Sequence, residues 1–123
     1  AEQLRKLYGA ALRLSLEPLV ETSTAEELAE ARRLGAKLIG VNNRNILSLE
    51  RDDGSVSRTQ ELAAFVPRDA LLVSESGIKT PEQARAAIEA GAGAVLVGTA
   101  IWKSGDIEGF YRAMCRGESG RDE

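Results

Sequence analysis

Short apolar runs recur four times along the chain, and a segment with helical signals separates each run from the next. The runs are residues 19–22, 37–41, 70–73 and 94–97. They lack the strict polar and apolar alternation of a half-exposed strand, which is typical of parallel strands covered by helices. The sequence therefore predicts an α/β fold built from parallel βα units.

Helical signals fill the segments between these runs. Thr24 followed by Glu27 predicts a capping box, and Gly35 predicts the end of that helix. Thr80 followed by Pro81 predicts another helix start. The predicted segments are helices at 2–14, 25–34, 57–65, 81–91 and 106–114, a long polar loop at 42–57 and a frayed tail at 116–123.

Two architectures fit this order of elements, an open doubly wound sheet and half of an eight-stranded barrel. A complete barrel needs about 250 residues, whereas this chain has 123. Residues 34–41 also align with residues 90–97, which indicates that one βα unit is reused. Half a barrel would expose two strand edges and an inner face, so one domain of this kind over residues 1–123 would need a partner, such as a second copy of itself.

Charge and residue usage exclude several classes of function. The 16 Lys and Arg form no basic run and the net charge is -3, which disfavours nucleic-acid binding. The apolar runs are far shorter than the roughly 18 residues of a membrane span, and no signal peptide opens the chain, so we expect no membrane contact and a cytoplasmic location. One Cys and no His exclude an internal disulfide and the commonest general base, and disfavour a zinc site.

Polar or glycine residues follow every apolar run. Ligands of parallel α/β folds lie at the C-terminal ends of the strands, so these residues are candidates for a functional site. A sheet without a functional site would need only turn-forming residues at these positions. The candidates are Glu21, Asn42, Arg44, Ser74, Glu75, Ser76, Gly77, Gly98 and Thr99.

The last two turns are typical of phosphate binding. At Ser76–Gly77 and Gly98–Thr99, glycine allows backbone N–H groups to approach an anion beside a short helix N-terminus. The alternative is that both are ordinary tight βα turns.

The first two strand ends carry side chains suited to acid–base chemistry. Glu21 ends an apolar strand, where a carboxylate is costly to desolvate unless it faces a polar cavity. Asn42 would orient a hydroxyl or a neighbour of Glu21, and Arg44 would face an anionic group. The alternative for Glu21 is a solvated carboxylate at a strand end. The alternative for Asn42 and Arg44 is that they are turn-forming and surface residues.

Taken together, four blocks of the sequence resemble successive blocks of the indole-3-glycerol-phosphate synthase family in order and spacing. The blocks are residues 16–21, 35–44, 73–78 and 94–99. The resemblance implies the C-terminal half of a TIM (β/α)8 barrel, strands five to eight. It also implies a lyase of tryptophan biosynthesis that converts 1-(2-carboxyphenylamino)-1-deoxyribulose 5-phosphate into indole-3-glycerol phosphate, CO₂ and water, without metal or organic cofactor.

The resemblance also implies roles for particular residues. Glu21 matches the catalytic glutamate that serves in proton transfer, and Asn42 matches an active-site residue. Glu75 and Ser76 match residues that contact the substrate. The backbone at Ser76–Gly77 and Gly98–Thr99 matches the phosphate cradle, with Thr99 where a serine is common.

One departure from the family concerns the mechanism. The family's general-acid lysine, and another lysine and glutamate, lie on the first three strands, which have no counterpart in this chain. Lys37 begins a strand and would lie at the opposite end of the barrel. We therefore expect turnover only with the missing half. A self-associating phosphate-binding half-barrel, and another phosphate-binding barrel enzyme such as a phosphoribosyl isomerase, are the alternatives.

Overall fold

The computed structural model describes residues 2–44 and 55–116. The helices are α1 (Glu2–Arg13), α2 (Ala25–Leu34), α3 (Ser57–Leu62), α4 (Pro81–Glu89), α5 (Thr99–Lys103) and α6 (Ile107–Arg116). The strands are β1 (Leu19–Thr22), β2 (Leu38–Asn42), β3 (Leu71–Glu75) and β4 (Ala94–Leu96). A 3₁₀ turn, Ala63–Phe65, continues α3.

The predicted order of elements is confirmed except that α5 was not predicted, and several boundaries differ. β2 includes Asn42, and β3 continues through Ser74 and Glu75, where we expected the strand to have ended. Arg116 is the last residue of α6 and not part of a tail. The rest of the predicted tail, 117–123, and the centre of the predicted loop, 45–54, lie outside the described residues.

Side-chain caps begin two of the helices as the sequence predicts. At α2, Thr24 Oγ1 accepts a hydrogen bond from the N–H of Glu27 at 3.2 Å, but the Glu27 carboxylate accepts from Ser23 and not from the capping residue. At α4, Thr80 and Gln83 form the complete reciprocal capping box. These caps satisfy N–H groups that a helix start otherwise leaves without acceptors.

Within the described residues, four strands form one parallel sheet in chain order, β1-β2-β3-β4. Crossovers between parallel strands are right-handed, so crossovers that all step in the same direction place their helices on one face of the sheet. A doubly wound sheet reverses direction at a switch point and has helices on both faces. The strand order therefore identifies half of a (β/α)8 barrel.

The outer face of the sheet, which the helices cover, holds the apolar core. Strand residues Val20, Ile39, Val41 and Leu72 pack there with Leu28, Ala31, Ala84 and Ala87 of α2 and α4. Helix α2 packs on β1, α3 on β2 and α4 on β4. Each βα unit therefore contributes to one continuous core.

The inner face is the opposite side of the sheet, defined by the alternate residues of each strand. These are Leu19, Glu21, Leu38, Gly40, Asn42, Leu71, Val73, Glu75, Ala94 and Leu96. Its leucines are partly open to solvent, with exposed fractions of 39% for Leu19, 46% for Leu71 and 55% for Leu96. This face would line the interior of a closed barrel.

No helix within residues 2–44 and 55–116 combines the length and the apolar character needed to cross a membrane.

Candidate active site

The C-terminal end of the inner face is a layer of polar side chains. Glu21 lies at the end of β1, Asn42 at the end of β2 and Glu75 at the end of β3, where Asn42 and Glu75 are register partners. Asn42 Nδ2 donates a hydrogen bond to Glu21 Oε1 at 2.7 Å, and the N–H of Arg44 donates to Asn42 Oδ1 at 2.9 Å. The backbone of Arg44 thus orients the Asn42 amide so that its NH₂ group faces Glu21.

Glu75 occupies the space above a glycine in the neighbouring strand. Its side chain is 6% exposed, and its Oε1 has no hydrogen-bond partner among the described residues. A methyl group at Gly40 would overlap the Glu75 carboxylate, so only glycine leaves room for it there. This function of Gly40 was not predicted from the sequence. A lone glycine inside an apolar strand was the available signal, because it often marks a close approach.

The two carboxylates of this layer have different surroundings. Glu21 is exposed on the open inner face and bonded to Asn42, whereas Glu75 is buried. Burial, and next the charge of Glu21, raise the pKa of Glu75 above its usual range. Desolvation was predicted from the sequence for Glu21, whereas in the structure Glu75 is the desolvated carboxylate. A pair of carboxylates in unequal environments is suited to acid–base chemistry.

A cleft of about 730 Å³ opens beyond the ends of β3 and β4. The predicted phosphate-binding residues Ser76, Gly77, Gly98 and Thr99 line it, together with the cations Arg44, Lys79 and Lys103. Lys79 and Lys103 were not predicted as site residues, because no motif distinguishes them among the 16 Lys and Arg of the chain. Their positions shortly after the two glycine turns were the available signal. The cleft is therefore basic, and the glycine turns form part of its wall.

The two glycine turns differ in backbone conformation. Ser76 and Gly77 are consecutive left-handed residues, with φ of 62° and 72°. A serine in this region costs on the order of 1 kcal/mol, so the surroundings must hold it there. Gly98 caps α5 with a negative φ, and a methyl group at this position would meet no described atom within 4 Å. The space beside Gly98 is therefore open to the cleft.

Lys37 lies at the opposite end of the sheet, as its place before β2 indicates. Its ammonium group forms an ion pair with Asp69, just before β3. Among residues 2–44 and 55–116 there is no cluster of three or more His, Cys, Asp or Glu that would hold a metal ion.

The fold is that of half of a (β/α)8-barrel protein, with a polar layer and a basic cleft at the C-terminal ends of its parallel strands. The family model for indole-3-glycerol phosphate synthase matches residues 1–114. The chain belongs to that family, which sets aside the phosphoribosyl isomerase alternative.

Named relatives agree with this assignment. The chain is 44% identical over 113 residues to a "Multifunctional tryptophan biosynthesis protein" of Schizosaccharomyces pombe, covering 92% of this chain and 14% of that protein. It is 42% identical over 113 residues to an "Indole-3-glycerol phosphate synthase" of Thermococcus kodakarensis, covering 92% of this chain and 49% of the relative. The chain thus spans about half or less of the length of these relatives.

A solved structure shows the same fold. The N-acetylmannosamine-6-phosphate 2-epimerase of Clostridium perfringens superposes with a TM-score of 0.70 at 25% identity, covering 89% of this chain and 48% of that chain. The superposition over about half of the epimerase agrees with a half-barrel.

Proposed function

We propose that this chain supplies the C-terminal half of the active site of an indole-3-glycerol-phosphate synthase, in which Glu21 transfers protons and Asn42 orients it. The hydrogen bond of 2.7 Å between Asn42 and Glu21 carries the proposal, because it holds a carboxylate at the strand ends beside the basic cleft. The family match supports the assignment.

The proposed reaction closes the indole ring of 1-(2-carboxyphenylamino)-1-deoxyribulose 5-phosphate. A bond forms between the ring carbon that bears the carboxylate and the carbonyl carbon of the sugar chain, whose oxygen takes up a proton. The carboxylate leaves as CO₂, and its bonding electrons restore the aromatic ring. The new hydroxyl then leaves as water with a proton from the adjacent carbon. These steps need a group that exchanges protons, which is the role proposed for Glu21.

The phosphate of this substrate would bind in the cleft. The backbone N–H groups at Ser76–Gly77 and Gly98–Thr99 would donate to it, and Arg44, Lys79 and Lys103 add positive charge. Helix α5 has only five residues, so nearby N–H groups, and not a long helix dipole, would supply the attraction. The open space beside Gly98 leaves room for the anion. We propose that Glu75, Ser76 and Arg44 contact the part of the substrate that lies between Glu21 and the phosphate.

The partner proposed for this chain is the N-terminal half of the barrel. The open inner face supports a covering partner, and the family resemblance assigns the general-acid lysine to the strands of that partner. We treat residues 1–123 as one half-barrel domain of a cytoplasmic enzyme that needs no cofactor.

Reconstitution tests the proposal. The chain, the first four βα units of a family relative, and their mixture would each be assayed for indole-3-glycerol phosphate by fluorescence. We expect turnover only in the mixture. A complex that forms without producing indole-3-glycerol phosphate would contradict the proposal.

The second candidate is a self-associating module without turnover. The open leucines of the inner face favour it, because two copies would cover them by closing into one barrel. A stable homodimer that binds inorganic phosphate and shows no turnover with any added half would support this candidate instead.

A further inference from the structure

A cluster of hydrogen bonds lies directly behind the Ser76–Gly77 turn, and Asn43 is at its centre. Asn43 Nδ2 lies 3.0 Å from Ser74 Oγ, 3.2 Å from the carbonyl oxygen of Glu75 and 3.1 Å from that of Ser76, and donates to these acceptors. The backbone N–H of Asn43 also donates to the Glu75 carbonyl, at 2.9 Å. One residue at the end of β2 therefore holds the last part of β3 and the beginning of its turn.

The other side of the Asn43 amide is fixed by α3. Asn43 Oδ1 accepts hydrogen bonds from Thr59 Oγ1 at 3.0 Å and from the Thr59 N–H at 3.3 Å. Thr59 Oγ1 also lies 2.7 Å from Ser74 Oγ, and both of these residues are fully buried. Because the donors on Thr59 require the amide oxygen on their side, the NH₂ group must face the turn.

The bond to the Ser76 carbonyl sets the direction of the next N–H group. In a planar trans peptide, the C=O of one residue and the N–H of the following residue point in opposite directions. Asn43 holds the Ser76 oxygen toward the cluster, so the N–H of Gly77 points away from it. Gly77 lines the basic cleft, whereas Asn43 is not among the described residues that line it.

We propose that Asn43 is a positioning residue that holds the left-handed Ser76–Gly77 turn and thereby aims the Gly77 N–H at the phosphate of the substrate. The left-handed φ of Ser76 is a conformation that serine rarely adopts without support, and Asn43 provides that support. This inference rests on the proposed function, since it assumes that the cleft binds a phosphate.

Thr59 offers a matched control within the same cluster. Thr59→Val removes a buried hydroxyl that bonds to Asn43 and Ser74. The variant should therefore lower the stability of the fold. It leaves the Thr59 N–H to orient the amide, and it leaves the bond from Asn43 to Ser76 intact. Asn43→Ala removes that bond. A purely structural role predicts similar effects of both variants, whereas positioning predicts different ones.

The test titrates the 123-residue chain with inorganic phosphate and follows the Ser76 and Gly77 amides by NMR. We expect Asn43→Ala to weaken phosphate binding about tenfold or more, and Thr59→Val to change it by less than about twofold. In the reconstituted enzyme, we expect Asn43→Ala to raise KM more than it lowers kcat, because the phosphate lies away from the reacting atoms. If Asn43→Ala does not fold, Asn43→Asp keeps the oxygen that faces Thr59 and removes the donor, and the same loss is expected.

The outcomes separate the two proposals. Suppose that the wild-type chain binds phosphate and the reconstituted enzyme turns over. Unchanged phosphate affinity and unchanged KM in the Asn43 variants would then overturn the positioning role, while the proposed function would stand. Equal losses in the Asn43 and Thr59 variants at matched folded fractions would also overturn it. If phosphate shifts neither amide in the wild-type chain and reconstitution gives no turnover, both proposals fail.

Discussion

The two faces of the sheet are built from the same strands, yet their surroundings differ. On the outer face, Ile39 and Val41 are completely buried under helices of the same chain. On the inner face, Leu71 and Leu96 are about half exposed, and the carboxylates Glu21 and Glu75 lie at its end. The difference indicates that this chain stabilises itself through its outer face, whereas the proposed function places its chemistry on the inner face.

The strongest test of this division is a substitution at the inner face that changes activity without changing stability. In the reconstituted enzyme, Glu21→Gln should lower turnover by about 10² to 10⁴-fold, because the group that exchanges protons is lost. Its free energy of unfolding should change by less than about 1 kcal/mol, since Glu21 is exposed.

Glu61→Gln, at an exposed position in α3, is the matched control and should leave turnover unchanged. Comparable activity in the Glu21 and Glu61 variants would show that Glu21 does not transfer the proton.

The next largest effect should come from the outer face. Leu28→Ala should lower the free energy of unfolding by about 2 to 5 kcal/mol, because Leu28 is 1% exposed in the core. Leu71→Ala removes the same atoms from the half-exposed inner face and should cost about 1 kcal/mol or less in this chain. Urea denaturation measures both. Equal losses of free energy of unfolding in the two variants would mean that Leu71 is packed as tightly as a core residue even without a partner.

The smallest expected effect is the pH dependence caused by Glu75. Its pKa is raised by burial and then by Glu21, so the folded chain holds this proton more tightly than the unfolded chain does. Stability from this group is full below the ordinary pKa of 4.5 and is lost as the pH rises through the raised value. Glu75→Gln should therefore stabilise the chain at neutral pH and have little effect near pH 4.

Urea denaturation of wild type and Glu75→Gln at both pH values tests this prediction, with Glu61→Gln as the control for charge removal at the surface. The prediction is contradicted if the gain in free energy of unfolding from Glu75→Gln over wild type is smaller at neutral pH than near pH 4.

The fold was largely predictable because its signals are local. Thr24 and Thr80 cap helices through bonds to residues three positions away, and each strand is a contiguous apolar run. The placement of Glu21 and Asn42 at adjacent strand ends followed from the parallel sheet alone. Such features depend on neighbours in the chain or on the rule that parallel strands end together.

The parts that were not predicted depend on contacts between distant segments. β3 extends through Ser74 because Ser74 pairs with Val41 of β2 and Val95 of β4. Thr59, on α3, and Asn43, after β2, bond to its side chain. The burial of Glu75 depends on the missing side chain at Gly40 in the next strand. No local pattern indicates the first contact, and for the second the lone glycine in β2 marks a close approach without naming its partner. The five residues of α5 are likewise too few for a helical period to be visible.

The order of the strands also has a consequence for how the chain acquires its structure. Within the described residues, each strand pairs with the strand made just before or just after it, so every pairing closes a loop between consecutive strands. During synthesis, β1 and β2 are complete before β3 leaves the ribosome. We therefore expect the sheet to grow strand by strand from β1 toward β4 during translation.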